Sequence, residues 1–260
     1  YFFLILMKYN TDINIIGSIP DYHLIYSALP LLEKGDDLFN SLVVNNEYNF
    51  RTEKSRKRFL FSLNSAFITN NIELNNKIKI LLEHFNGDEK SQALILFWNF
   101  SINNQLFFDI TKDVFLKYYY QGRIELPKND VEAYLKDLIH SNEELKGKWS
   151  KKTIETISSK YLTVLKKLHI LEGSRKKLFC FVRVSDEMLA IFIHLYLCRN
   201  DRNHNLIEDD FSIFGFVSKE QLLERLKVIG RKDWIKMNYT GSILRVENVF
   251  NSKNIINGLF

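Results

Sequence analysis

The chain predicts a mainly α-helical fold: tandem helix-turn-helix or winged-helix-like units around a central helical platform, with short β-hairpins. Three observations predict it. A basic cluster opening an amphipathic helix occurs twice, in "NNEYNFRTEKSRKRFLFSLNSAF" and in "ELKGKWSKKTIETISSKYLTVLKKLHIL". The second copy runs into a pattern of two strands about a polar tip. Helix breakers are rare, with 3 Pro and 10 Gly among 260 residues, whereas 21 Phe and 12 Tyr supply core area.

Taken in order, residues 21–34 read as a helix interrupted near Pro30, and 38–44 as a short second helix. Residues 45–52 form a turn and 53–68 a third helix, with Leu60, Leu63 and Phe67 at helical spacing and Arg56 and Lys57 for its outer face. This is the helix-turn-helix order, and it closes an N-terminal unit at 1–70. A central platform spans 71–126, helical over 93–100 and 105–120, its aromatics spaced as core.

The unit at 127–185 is the sharpest. Asn129 and Glu132 have capping-box spacing, and Val131, Tyr134, Leu135 and Leu138 line the helix behind them. Ser150 is a good N-cap for a helix ending at Leu168, whose Ile154, Ile157, Tyr161, Val164 and Leu168 step by three and four. The hairpin after it places Arg175, Lys176 and Lys177 at a wing tip, with Leu178, Val182 and Val184 suited to strands. Residues 186–260 hold a weaker echo: a Ser218–Gln221 capping box, Leu222, Leu223, Leu226 and Ile229, then a hairpin about Thr240-Gly241-Ser242. Its bases are sparser, which suits a structural subdomain.

The net charge of +5 hides strong segregation. Residues 51–58 hold five bases and one acid, 146–152 four bases and no acid, 166–177 five bases and one acid, and 231–236 three bases and one acid. The rest of the chain is therefore net acidic, as expected of an electrostatic footprint on a polyanion. The spacing assigns double-stranded DNA contacts to Arg51, Lys54, Arg56 and Lys57 in the first unit and to Lys148, Lys151, Lys152 and Lys160 in the second. Arg175, Lys176 and Lys177 would make the wing contact. Arg suits guanine edges, Lys mainly the backbone, and Thr52, Ser55 and Ser150 add phosphate hydrogen bonds. Structured RNA or an acidic protein partner met by a scaffold are the alternatives.

Other chemistry lacks its residues. There is no Gly-rich phosphate loop or dinucleotide fingerprint, and the histidines at 23, 84, 140, 169, 194 and 204 are scattered. Cys180 and Cys198 lack zinc or disulfide spacing, which points to a reducing cytoplasm. Glu208-Asp209-Asp210 reads as solvated surface, and Asp21 with Glu144 and Lys146 lacks the sheet of a nuclease core. No enzyme activity, cofactor or metal is expected. The segment 188–198 is too short to span a bilayer and reads as a buried helix. "YFFLIL" lacks the basic n-region and cleavage site of a signal peptide, and Met7 reads as a natural start.

Over residues 7–185 the order of "MKYNTDINIIGS", "VVNNEYNFRTEKSRKRFLFSL", "SQALILFWNFSINNQLFFDITKDVF" and "WSKKTIETISSKYLTVLKKLHILEG" resembles the BrxA family of BREX (bacteriophage exclusion) defence systems. The resemblance implies a helical, non-enzymatic, DNA-binding accessory protein acting beside other phage-defence proteins.

Overall fold

The computed structural model describes residues 9–34, 44–199 and 205–260. Along the chain, α1 (Ile13–Ile16) and α2 (His23–Ala28) precede a 3-10 turn, Leu29–Lys34. Then come α3 (Glu53–Phe67), α4 (Ile72–His84), α5 (Glu89–Asn103) and α6 (Gln105–Ile110). A π-helical stretch, Thr111–Leu116, joins α6 to α7 (Lys117–Tyr120), followed by α8 (Lys128–Ser141) and α9 (Lys151–Lys167). A hairpin of β1 (Leu171–Glu172) and β2 (Leu178–Phe179) leads to α10 (Asp186–Tyr196) and α11 (Lys219–Arg231). The chain continues through β3 (Ile235–Tyr239), β4 (Leu244–Asn248) and α12 (Ile255–Leu259). The described protein is mainly helical, as its shortage of breakers predicts. The short helix expected at 38–44 lies, apart from Val44, outside the described residues.

The chain forms two compact units, each discontinuous in sequence: 1–68 with 103–180, and 69–102 with 181–260. The stretch 71–126 thus gives α4 and most of α5 to the second unit, and the 105–120 helix to the first.

In the first unit, α9 is the central element. Ile157, Tyr161, Val164 and Leu165 are wholly buried, with Ile154 and Leu168 nearly so. Tyr161 packs on Phe107 with ring centroids 5.5 Å apart, and its hydroxyl lies 3.1 Å from Thr111 Oγ1 in the π-helical stretch. Burying a tyrosine needs a partner for its hydroxyl, and the π stretch carries that partner. The short α1 packs on both α3 and α9. It does so through Gly17, where a Cβ would lie 2.7 Å from the Lys160 carbonyl oxygen and 2.9 Å from Lys160 Cβ. Only glycine permits that approach. On the α3 side, Ser65 donates to Asp12 at 2.5 Å, and burial raises the Asp12 pKa.

The hairpin is extended by the chain entering α8. Glu125 pairs antiparallel with Leu178, the Leu126 amide donates to the Lys177 carbonyl at 2.8 Å, and the Phe179 amide donates to the Ile124 carbonyl at 3.0 Å. Since β2 also pairs with β1, Glu125 and β1 flank β2 on its two sides. The element sequence is helix, bridge residue, helix, turn, helix, hairpin, with Glu125 beside β2. Val182 and Val184 lie outside the strands, which close after Phe179.

The capping box at Asn129 and Glu132 does not form. Pro127, extended at φ −68° and ψ 141°, is the N-cap, and Glu132 instead pairs with Lys128 at 3.0 Å. Proline preorganises this start better than Asn two residues inside the helix.

In the second unit, Phe192, Phe211 and Phe214 stack in series, with centroids 5.5 and 4.7 Å apart. Trp98 Nε1 donates to the Phe214 carbonyl at 2.9 Å. The acidic stretch expected as solvated surface is corrected at Asp209. This residue is buried, caps the 3-10 turn Asp210–Gly215 by accepting from the Phe211 amide at 2.7 Å, and takes Tyr196 Oη at 3.0 Å and Arg199 at 3.3 Å. Only the flanking Glu208 and Asp210 are exposed.

Candidate nucleic-acid interface

The turn before α9 is tightly specified. Asn142 Oδ1 accepts from the Glu144 amide at 2.9 Å, the one-turn 3-10 helix Glu143–Leu145 buries Leu145, and Lys146 pairs with Glu143. Ser150 then caps α9 as expected, its Oγ accepting from the Thr153 amide at 3.2 Å. Capping at this point fixes the direction in which the first basic turn projects.

From there the cations diverge. Lys148, Lys151 and Lys152 are exposed. Lys152 has a carboxylate, Glu155, only at 3.8 Å, while its side chain is 86% exposed, too loose a pair to neutralise it. Lys151 has no carboxylate partner among the described residues. Lys160, expected on the outer face, is half-buried where α1 crosses the helix at Gly17. Lys167, on that same side, donates to the Gly17 and Ile19 carbonyls and closes the end of α1. Burial, and then the charge of Lys160, lower the Lys167 pKa. The sequence stripe located the core face of α9 but not the neighbour covering one flank.

The solvent strip of α9 consists of Lys152, Glu155, Ser159, Thr163 and Lys166, stepping by three and four. Lys166 is exposed and was missed, although its spacing from Lys152 and Ser159 marks it.

At the hairpin tip, Arg175 and Lys176 project into solvent, and Lys176 has Glu125 at 3.7 Å. Lys177 bends back, its Nζ donating to the carbonyls of Gly173 at 3.0 Å and Ser174 at 2.5 Å. Gly173 has φ +85°, and a Cβ there would meet the Lys176 carbonyl oxygen at 2.3 Å, so the tip requires glycine. Lys177 thus serves the shape of the tip as well as its charge. Burial lowers its pKa, and Lys166 lowers it further.

The first basic helix is built the same way and charged differently. Thr52 caps α3 by accepting from the Ser55 amide at 3.1 Å, and a loop locked by reciprocal Asn46–Phe50 hydrogen bonds precedes it. Its buried face is Phe59, Ser62, Leu63, Ala66 and Phe67, with Tyr48 and Phe50 on the Phe59 ring. Leu60, expected in the stripe, is half-exposed and Phe59 takes its place. Arg51, Lys54 and Lys57 are exposed, and Lys57 bonds Glu53 at 2.6 Å, which lowers the Glu53 pKa. Arg56 is half-buried, so this helix offers its solvent face fewer free charges than the sequence suggests.

Among the described residues no group of His, Cys, Asp and Glu could hold a metal ion, and no helix is long and apolar enough to cross a membrane.

These features define a mainly helical protein with two capped basic helices in one compact unit, the second followed by a cation-tipped hairpin. A protein-family model, BrxA, matches residues 34–192, and the chain belongs to the BrxA family. Membership makes it a component of a BREX phage-defence system. No curated protein matches it significantly.

Proposed function

We propose that this BrxA-family chain is a non-enzymatic accessory protein that binds double-stranded DNA, mainly through its phosphates. The observation that carries the reading is the unit at 105–180. Its order of helix, bridge residue Glu125, helix, turn, helix and hairpin, with Glu125 beside β2, resembles that of a winged helix and supports the reading. In such a unit the third helix enters the major groove and the wing meets an adjoining backbone. Here the third helix is α9, whose capped start exposes Lys148, Lys151 and Lys152, and the wing exposes Arg175 and Lys176. Arg51, Lys54 and Lys57 at the start of α3 supply a second, weaker set of phosphate contacts, with Arg56 and Lys160 behind them as half-buried supports. Other components of the defence system are the expected protein partners.

The test is duplex affinity of the full chain across a salt series. Each lost phosphate contact lowers the slope of log K against log salt by about 0.9. Lys151→Ala/Lys152→Ala is expected to flatten it by about two such steps, and Arg56→Ala/Lys57→Ala by one at most. Absence of binding at low salt contradicts the reading and leaves a protein-scaffold role. A preference for duplex RNA over duplex DNA contradicts it in favour of RNA.

A further inference from the structure

A cleft of about 490 Å³ opens between the hairpin tip, the solvent strip of α9 and the start of α8. Its walls carry Arg175, Lys176 and Lys177 from the tip, Lys128 from α8, and Ser159 and Thr163 from α9. Glu125 is its one carboxylate. The cations are incompletely neutralised by protein. Arg175 has no carboxylate partner among the described residues, Lys176 is 79% exposed with Glu125 at 3.7 Å, and Lys128, still partly exposed, pairs with Glu132 at 3.0 Å. Lys177 reaches only neutral carbonyls. Lys166, one helical turn beyond Thr163, brings a further positive charge to bear on Lys177. Like charges gathered on one concave wall cost free energy unless an anion joins them. The Thr163 hydroxyl is spent on the Ser159 carbonyl at 2.8 Å, and the arginine and lysines of the walls are the donors a tetrahedral oxyanion takes.

We propose that this cleft is the seat of a single phosphate group, held by Arg175 and Lys128, and that the phosphate belongs to the duplex backbone beside the groove entered by α9. The assignment rests on the DNA-binding reading above and deepens it. It names Lys128 as a specific contact and gives the tip a pocket to fill as well as a charge to approach. A soluble phosphate compound offers the same chemistry, and the test separates the two sources.

The full chain is titrated with a short fluorescein-labelled duplex between about 50 and 200 mM salt. Wild type, Arg175→Ala, Lys128→Gln and Lys151→Ala/Lys152→Ala are compared, and inorganic pyrophosphate is titrated calorimetrically without DNA. Both altered cleft residues are exposed or partly so, and unchanged thermal melts confirm folding. The expected result is a slope lowered by about one in Arg175→Ala and again in Lys128→Gln. Pyrophosphate binding lost in Arg175→Ala supports the seat further, and a slope change without pyrophosphate binding assigns it to backbone phosphate alone. Unchanged slopes in both cleft variants, while Lys151→Ala/Lys152→Ala flattens, overturn the seat and leave the DNA reading standing. Arg175-dependent pyrophosphate binding without any duplex affinity keeps the seat for a soluble phosphate compound and removes the DNA reading. Binding of neither ligand overturns both.

Discussion

The chain builds a serine-capped amphipathic helix followed by an antiparallel hairpin twice, once at 150–179 and once at 218–248, and uses the two differently. In the first, Lys151, Lys166 and Arg175 face solvent without a carboxylate within 4 Å, and Lys152 has only Glu155 at 3.8 Å. In the second, Arg225, Lys227 and Lys232 have carboxylates within 4 Å, whereas Lys219, Arg231, Lys236 and Arg245 are exposed without one. Arg225 takes Asp186 through Nε at 3.2 Å and through Nη2 at 2.7 Å, and Lys227 pairs with Glu224 at 2.7 Å. Lys232 sits 4.1 Å from the Trp234 ring centroid and 3.8 Å from Glu187. The supersecondary pattern is the same, so the pattern itself is not the functional signal. What separates the two regions is charge density: residues 146–152 and 166–177 hold nine bases and one acid, against three bases and one acid at 231–236.

The second helix and hairpin also meet a buried histidine, His194 of α10, with no counterpart in the first. His194 is fully buried, its Nε2 2.9 Å from the Trp234 carbonyl, and burial followed by the nearby Lys77 charge lowers its pKa to about 4. The largest predicted effect follows. Above about pH 6.5 the neutral ring is accommodated. As the pH falls toward 4 the unfolded chain takes up a proton that the folded one refuses, removing about 3 kcal/mol of stability. Chemical denaturation at pH 7 and pH 4.5 checks this, and replacing His194 with Phe should flatten that part of the profile. Equal midpoints at the two pH values would contradict it.

The sharpest contrast between the regions is predicted next, in binding. Lys151→Ala/Lys152→Ala should weaken duplex affinity on the order of fifty-fold near 0.1 M salt, whereas Lys227→Ala/Lys232→Ala should leave the salt slope unchanged. Fluorescence anisotropy reads both, and equal losses would erase the distinction. Gly17→Val should destabilise the first unit by about 2 kcal/mol, because the added atoms meet the α9 backbone at Lys160. A denaturant melt within 0.5 kcal/mol of wild type would show that α1 does not pack there in solution. The smallest effect should be common to both regions. Ser150→Ala and Ser218→Ala each remove one cap and should cost about 1 kcal/mol. Their similarity, beside the unequal binding effects, would separate architecture from function.

How far the sequence carries the account differs residue by residue. The stripe of α9 is legible because its three-four spacing has one physical meaning, a buried helix face, and Ser150 marks its start. The hairpin about Gly173 and the one about Gly241 are legible from their turn residues, and so is the apolar α10. The covering of Lys160 is not legible, because it depends on Gly17 arriving from far away in sequence. The inward turn of Lys177 depends on carbonyls that face it only once the tip has closed. Asp209 read as surface because a run of acids usually is, while its burial follows from Arg199 and Tyr196, which a linear pattern cannot bring together. The bridge at Glu125 is not legible, since a single paired residue shows no periodicity. Charge clusters locate the neighbourhood of the candidate interface, but which charges are free is set by tertiary neighbours.

The central claim is that the cations of the 150–179 helix and hairpin meet DNA and those of the 218–248 pair do not. Lysine acetylation of the full chain with and without saturating duplex, read by mass spectrometry, tests it most directly. Protection of Lys151, Lys152, Lys166 and Lys176, with Lys219, Lys227 and Lys236 labelled equally in both states, is the predicted result. Protection confined to 219–236, or absent from both regions while the duplex is bound, would contradict it.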